Sequence, residues 1–503
     1  MWPLSKKHVE APPAGKVNSE GSILDDQEST TLGLGKYGLI FACGSALFSD
    51  GYVNAVIGPV NTILGVLYAE EMANTNYSQL LSSMAFAGTV IGMLVFGVIS
   101  DRIGRKAGML VATVIIFVFT ALTAGAKGAG GSVPGMLKAL IAYRFLTGIG
   151  IGAEYPSGSV AASENSEAKG VPKMRRQMMF QLATSSMIDL GFVIAAFVPL
   201  VLLWICGMNH LRAVWRISVG LGVVPPLLLL YFRVKMREPE QYRMHNMRKC
   251  KVPWMLIIRR YWVKIAAVSL NWFIYDWIVY PFGLYSSVII SVADSESTLY
   301  TSLGWGCLVN AFYLPGTFLG AIFVSDRLGP RNTMIFGLLA QAIFGFVLSG
   351  AYNALTKHEN IAAFAVLYGL FLSFGELGPG NNLGLLASKA IGPTAVRGTL
   401  YGVAAAVGKV GAFAGSYCFK PIIADLGGSG TYAGATGPFY IASALAIFSA
   451  GITYFFIPNI DADYMERDNI EFKAYLEANG WDTSAMGEII ALDPESAGQM
   501  QKS

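Results

Sequence analysis

Charge is scarce in this sequence. Charged residues make up 14% of its 503 residues, against about 25% in soluble domains. Basic and acidic residues nearly balance, 36 Lys+Arg against 32 Asp+Glu, for a formal net charge of +4. So small an excess does not suit a polyanion. The composition excludes a nucleic-acid binder, a disordered scaffold and an ordinary cytosolic enzyme. Cysteine is scarce too: Cys43, Cys206, Cys250, Cys307 and Cys418 are the only five. No two have metal-ligand spacing, and an odd count does not make a disulfide framework. Residues 1–35 lack a cleavable leader pattern, so the first apolar segment is expected to act as its own insertion signal. A nucleophile elbow, a metal cluster and a phosphate-cradling loop are all missing. The sequence therefore gives no reason to expect an enzyme, a cofactor or a metal.

Apolar residues fill the gap, at 54%, together with 57 glycines, a residue that lets membrane helices pack closely. Stretches long enough to cross about 30 Å of hydrocarbon recur along the chain. Twelve are expected, near 37–66, 78–99, 107–127, 135–162, 177–205, 212–234, 264–291, 300–325, 333–354, 361–386, 396–423 and 437–457. Loop charge orients them. The loop after span 2 holds Asp101-Arg102-Ile103-Gly104-Arg105-Lys106, and the loop after span 4 holds Lys169, Lys173, Arg175 and Arg176. Between 235 and 264 lie nine Lys/Arg against two acids. The loops after spans 1 and 7 carry Glu70-Glu71 and Asp294 with Glu296, and no basic residue. Both termini are thus expected in the cytoplasm, with the bilayer as the chain's surroundings. The expected division is a tail at 1–36, helical bundles at 37–234 and 264–457, a basic linker at 235–263 and an acidic tail at 458–503. That last tail reads as solvated and partly helical around Glu466 to Leu476. Asn76-Tyr77-Ser78 is a glycosylation sequon in an outer loop, close to the membrane.

One offset organises the polar residues. Asp101 to Lys106 returns as Asp326-Arg327-Leu328-Gly329-Pro330-Arg331, 225 residues on. Asp50 pairs with Asp276 at 226, Glu154 with Glu376 at 222, and Gln181 with Lys409 at 228. This is the pattern of two six-helix halves related by a repeat. The expected fold is all-α, twelve transmembrane helices in two pseudo-symmetric six-helix bundles.

Charged side chains inside a bilayer each cost about 2.5–3.5 kcal/mol. Asp50, Arg144, Glu154, Asp189, Asp276, Glu376 and Lys409 all fall within spans, so a cavity or mutual pairing must hold them. Arg144 with Asp50 or Glu154 is one candidate structural pair; Asp189 has the least to recommend it as a functional residue, and Glu164 sits near a helix end. In span 7, Trp272, Asp276 and Tyr280 are spaced i, i+4, i+8 and share one helix face. An aromatic, a carboxylate and a phenol on one stripe fit a wet cavity better than packing. In span 11, Lys409 lies among small residues about midway, too deep to reach the interface. It needs an anion: Asp276 in an empty site, a phosphate in a filled one.

Gly97 with Asp101-Arg102-Ile103-Gly104-Arg105-Lys106 resembles motif A of the major facilitator superfamily. With Arg144, Asp326 and Arg327 it is assigned to gating rather than to substrate. Arg144 and the glycines Gly148, Gly150 and Gly152 resemble a second motif of that superfamily. Ala153-Glu154-Tyr155-Pro156 and Ser163-Glu164 resemble the span-4 signature of its phosphate:proton symporters. Glu154 in place of that branch's aspartate, and Val53 in place of its second span-1 carboxylate, fit the fungal glycerophosphodiester permeases better. So does Phe48-Ser49-Asp50-Gly51-Tyr52. The resemblance spans nearly the whole chain apart from its tails. It implies that Tyr155, Gln181, Trp272, Asp276, Tyr280 and Lys409 bind phosphate, and that glycerophosphocholine or glycerophosphoinositol enters with protons at the plasma membrane. Asp50, Glu154 and Asp276 are the expected proton carriers. Inorganic phosphate transport is the alternative, and a non-transporting nutrient sensor a more distant one. Glu376 lies in Gly375-Glu376-Leu377-Gly378-Pro379, where a broken helix is expected. Its carboxylate suits a cation beyond the phosphate, while pairing with Arg397 or proton carriage are its other readings.

Overall fold

The computed structural model describes residues 36–486 apart from 74, 168–170, 237, 248–250, 294–297, 462 and 485. Expectations about residues 1–35, Cys250, Asp294 with Glu296 and the end of the tail lie outside the described residues. Twelve long helices follow one another. They are α1 (Tyr37–Leu67), α2 (Tyr77–Arg102), α3 (Arg105–Ala124), α4 (Val133–Ser166), α5 (Arg176–Cys206) and α6 (Met208–Lys235), then α7 (Trp254–Leu284). The rest are α8 (Leu299–Leu328), α9 (Pro330–Gly350), α10 (Ile361–Lys389), α11 (Thr394–Asp425) and α12 (Tyr432–Phe456). All but α7, 11 in number, are long and apolar enough to cross a bilayer, where backbone groups must bond within their own helix. The exception, α7, is 31 residues long but carries Asn271, Asp276, Tyr261, Tyr275 and Tyr280. Its start also lies ten residues before the expected 264, because the basic linker ends as helix.

Two pairs of helices join the halves. Helix α2 packs along α11, and α5 packs along α8. The 225-residue offset maps α2 onto α8 and α5 onto α11, so the two contacts are pseudo-symmetry mates. Ile91, Leu94, Val95 and Val98 are exposed on α2. At i, i+3, i+4 and i+7 they form the apolar stripe that faces lipid.

Polar backbone irregularities sit at related places. Tyr155–Ser159 in α4 and Glu376–Gly380 in α10 are single π-turns. Each contains a proline, Pro156 or Pro379, which lacks an N–H and crowds the preceding turn. The break expected at Glu376 is thus a π-turn that opens on that residue.

The acidic tail departs from expectation. A helix at Tyr464–Ala478 docks rather than floating in solvent. Met465, Phe472 and Leu476 are buried, an apolar stripe at i, i+7, i+11 that the charge count concealed. Tyr261 donates to Asp468 at 2.9 Å, and Arg260 pairs with Glu471 at 3.0 Å. Burial lifts the Asp468 carboxyl above its ordinary range, against that Tyr261 hydrogen bond. Just before the helix, the hydrogen bond from Lys173 holds Asp463 below that range.

Candidate functional site

A cavity of about 60 Å³ lies between the halves. It is large enough for a few waters but far smaller than the roughly 300 Å³ at which small-molecule pockets begin. Helix α7 supplies Trp272, Asp276 and Tyr280 to its wall, the three residues of the expected stripe. Lys409 of α11 faces them and is 1% exposed. Its ammonium stands 3.2 Å from Asp276 Oδ2 and donates to the Tyr280 hydroxyl. It also lies 4.1 Å from the Tyr280 ring centre and 5.2 Å from that of Tyr155. The ammonium is thus held by one carboxylate and two ring faces. Lys409 is the one Lys or Arg among the lining residues.

Glu376 lines the same cavity and accepts a hydrogen bond from Tyr275 at 2.5 Å. The expected alternative partner, Arg397, instead lies 3.5 Å from Glu164. Asp50 is buried behind the wall, where Asn54 donates to it at 2.5 Å. Lys409 is the cation that bears most on it.

Other expected residues stand apart. Glu154 does not reach the cavity. Arg233 of α6 grips both of its oxygens, at 2.5 and 2.6 Å. Arg144 pairs with neither Asp50 nor Glu154: it donates to the carbonyls of Leu81 and Val53 at 2.7 and 3.0 Å. These bonds use Nε and one Nη, and the other Nη is buried without a hydrogen-bond partner among the described residues. Gln181 is also away from Lys409. Its amide donates to Ser325 and Asn382, both at 3.0 Å, and so ties α5 to α8 and α10.

The basic-loop end of the molecule is shut by the first copy of the repeated motif. Asp101 accepts from the backbone of Gly398 at 2.9 Å and of Thr399 at 2.6 Å. A carboxylate there caps the start of the helix in α11, across the two halves. Gly97 permits the approach, since a Cβ on it would lie 2.9 Å from the Gly398 carbonyl oxygen. Arg105 binds Asp101 at 2.6 Å and Glu164 at 2.9 Å, under the ring of Tyr242. Gly104 has a φ of 142°, which suits glycine, and the turn delivers the amides of Arg105 and Lys106 to Glu238 at 2.9 and 3.1 Å. Burial lifts the Glu238 carboxyl above its ordinary range. Arg102 is exposed at the end of α2.

The second copy makes no such latch. Asp326 and Arg327 are exposed, and neither has an ion pair among the described residues. Pro330 stands where Arg105 stands in the first copy, so the guanidinium that organises the network has no counterpart. At the opposite end, Lys420 donates to Ser78 Oγ across the halves at 2.9 Å. Ser78 of the sequon is therefore buried, while Asn76 is exposed. A contact between the halves thus stands at each end of the molecule.

Comparison with known proteins places this arrangement. The profile of the sugar (and other) transporter family matches residues 38–252 and 263–472. The chain belongs to that transporter family. The transporter is 46% identical to the glycerophosphocholine permease GIT4 of Candida albicans over 471 residues, covering 93% of this chain and 87% of the relative. It is 44% identical to the major glycerophosphoinositol permease GIT3 of the same organism, over 89% of this chain and 83% of that one. Among solved structures, the major facilitator proton:xylose symporter XylE aligns with a TM-score of 0.72 at 19% identity, over 87% of this chain and 98% of that one. The transporter thus has the major facilitator fold, and the two-bundle expectation holds.

The cavity wall also contains residues that sequence reasoning passed over. Tyr275, Tyr401 and Phe192 line it, and Asp189 joins them. Tyr275 is next to Asp276 in sequence, but only packing shows that Glu376 is its partner. Arg233 lies near the end of α6, and only packing shows that Glu154 is its partner. Phe192 lies i+3 from Asp189, a spacing that places both on one face of α5.

Proposed function

We propose that this transporter imports glycerophosphodiesters with protons across the plasma membrane, its termini in the cytoplasm. The observation that carries the reading is Lys409, a buried ammonium with Asp276 and Tyr280 in the cavity between the halves. A phosphodiester keeps one negative charge throughout the physiological range, so Lys409 suits it at any working pH. The names of the similar permeases support the same substrate class. The phosphate takes the ammonium, and Asp276 then faces an anion unless it binds a proton. Proton and substrate binding are linked in this way. Of the three expected carriers, Asp50 and Asp276 serve this role. Glu154, bound through both oxygens by Arg233, orients the α4 turn that carries Tyr155. Alternating access comes from rocking of the halves, with Asp101, Arg105, Gly97 and Gly104 forming the cytoplasmic gate.

Uptake is expected to rise as external pH falls and to collapse with a protonophore. Uptake that follows sodium and ignores pH contradicts the proton assignment. Labelled glycerophosphocholine competed by glycerophosphoinositol and by inorganic phosphate tests the substrate. Strong competition by the two diesters and little by phosphate is the expected result.

The gate gives a further expectation. Asp101→Asn keeps the shape but removes the charge from several hydrogen bonds, each worth about 1.5–3 kcal/mol. Uptake should fall about tenfold or more, and a cysteine placed at Thr394 should become more reactive to a cytoplasmic alkylating reagent. Lost uptake with unchanged reactivity would remove Asp101 from the gate.

A further inference from the structure

The cavity has two electrical poles. Lys409, Asp276 and Tyr280 make the first. Asp189 and Glu376 reach the same cavity from α5 and α10, one from each half. Asp189 is 2% exposed, and its Oδ2 has no hydrogen-bond partner. Lys409 pairs with Asp276, and neither Asp189 nor Glu376 has an ion pair among the described residues. Two buried carboxyl groups thus face one space, one of them with an oxygen left over. Such an arrangement is costly while empty and favours a positive occupant.

The lining says which kind of cation fits. Phe192 sits on the same face of α5 as Asp189. Its ring centre lies 5.4 Å from that of Tyr313 and 5.9 Å from that of Tyr280. Aromatic faces with carboxylates beyond them bind alkylammonium groups, which need no hydrogen-bond acceptor. A small metal ion demands a shell of oxygens, which Phe192 and Leu383 in this wall do not provide.

We propose that Asp189 and Glu376 form a subsite for a quaternary ammonium head group, held across the cavity from the cation that takes the phosphate. This rests on the reading of Lys409 as the phosphate site. A zwitterionic phosphodiester then satisfies both poles at once. Because Asp189 and Glu376 belong to different halves, their shared cation also draws the halves together. A diester with an uncharged head engages the first pole alone.

Two measurements test the subsite. The first is transport by purified protein in liposomes, with glycerophosphocholine and glycerophosphoinositol in parallel. In Asp189→Asn the ratio of the two KM values, choline over inositol, should rise at least about tenfold, or 1.4 kcal/mol, and Glu376→Gln should move it the same way. An unchanged ratio, whether both substrates are lost equally or neither is, overturns the proposal. The second is thermal stabilisation of the purified protein by tetramethylammonium, which carries no phosphate. Wild type should be stabilised and Asp189→Asn not, with glycerophosphoinositol stabilising both as the check on folding. A wild type indifferent to tetramethylammonium overturns the subsite even if glycerophosphocholine is carried. Stabilisation without flux of either diester supports the subsite and overturns the transport reading instead.

Discussion

Lys409→Ala is expected to abolish uptake while the protein still reaches the cell surface. No other Lys or Arg lines the cavity, so a bound phosphodiester would be left as a buried anion without a counter-charge. Removing one partner of a buried ion pair costs about 3–5 kcal/mol, which is a factor of more than 100 or so in affinity. The protein itself should tolerate the change, because Asp276 can take a proton when its ammonium neighbour is gone. Lys409→Arg should not rescue transport. A guanidinium is planar and larger than an ammonium, and the space between Tyr155 and Tyr280 admits a compact charge. Uptake and surface amount, measured on the same cells, check the expectation. Retained uptake above about a tenth of wild type, roughly 1.4 kcal/mol, would move the phosphate site elsewhere.

Arg233→Ala should be as damaging, but through folding. Arg233 is fully buried, and besides Glu154 it donates to the Met109 carbonyl at 2.8 Å and to Thr113 at 2.6 Å. Its loss leaves both Glu154 oxygens, the Met109 carbonyl and Thr113 without their donor, at about 1–3 kcal/mol for each buried group left unsatisfied, a large share of any protein's stability. Little protein should accumulate. Glu154→Gln added to Arg233→Met should restore much of it, since an uncharged pair of similar volume replaces a buried ion pair at little cost. Fluorescence-detected size exclusion of Arg233→Ala, Glu154→Gln and the double variant reads this directly. The rescued double variant should keep its pH-dependent uptake. If Glu154→Gln alone leaves the protein intact and flattens the pH profile, Glu154 carries a proton after all.

The two cases show where a sequence is and is not legible. Trp272, Asp276, Tyr280 and Lys409 could be read because their signals are local. A helical period puts three of them on one stripe, and a lysine at mid-span has no bland place to go. The repeat was equally plain, as a pattern at one offset. Its meaning in the second half was open to the same reading: Pro330 in the place of Arg105 already removes the latch. Arg233 was not legible, because its role depends on how α6 lies against α4, and nothing in the residues around it fixes that packing. Asp189 was undervalued for a similar reason. A single acid in an apolar run is informative only once the cavity it faces is known. Gln181 shows the opposite error. Its match to a phosphate ligand was by residue type, while here the amide is committed to Ser325 and Asn382.

The most direct test is flux through the purified transporter in sealed liposomes. Labelled glycerophosphocholine should accumulate against its gradient when the outside is made acid, and should stop when a protonophore is added. Accumulation that is indifferent to the proton gradient, or of inorganic phosphate in place of the diester, would contradict the account.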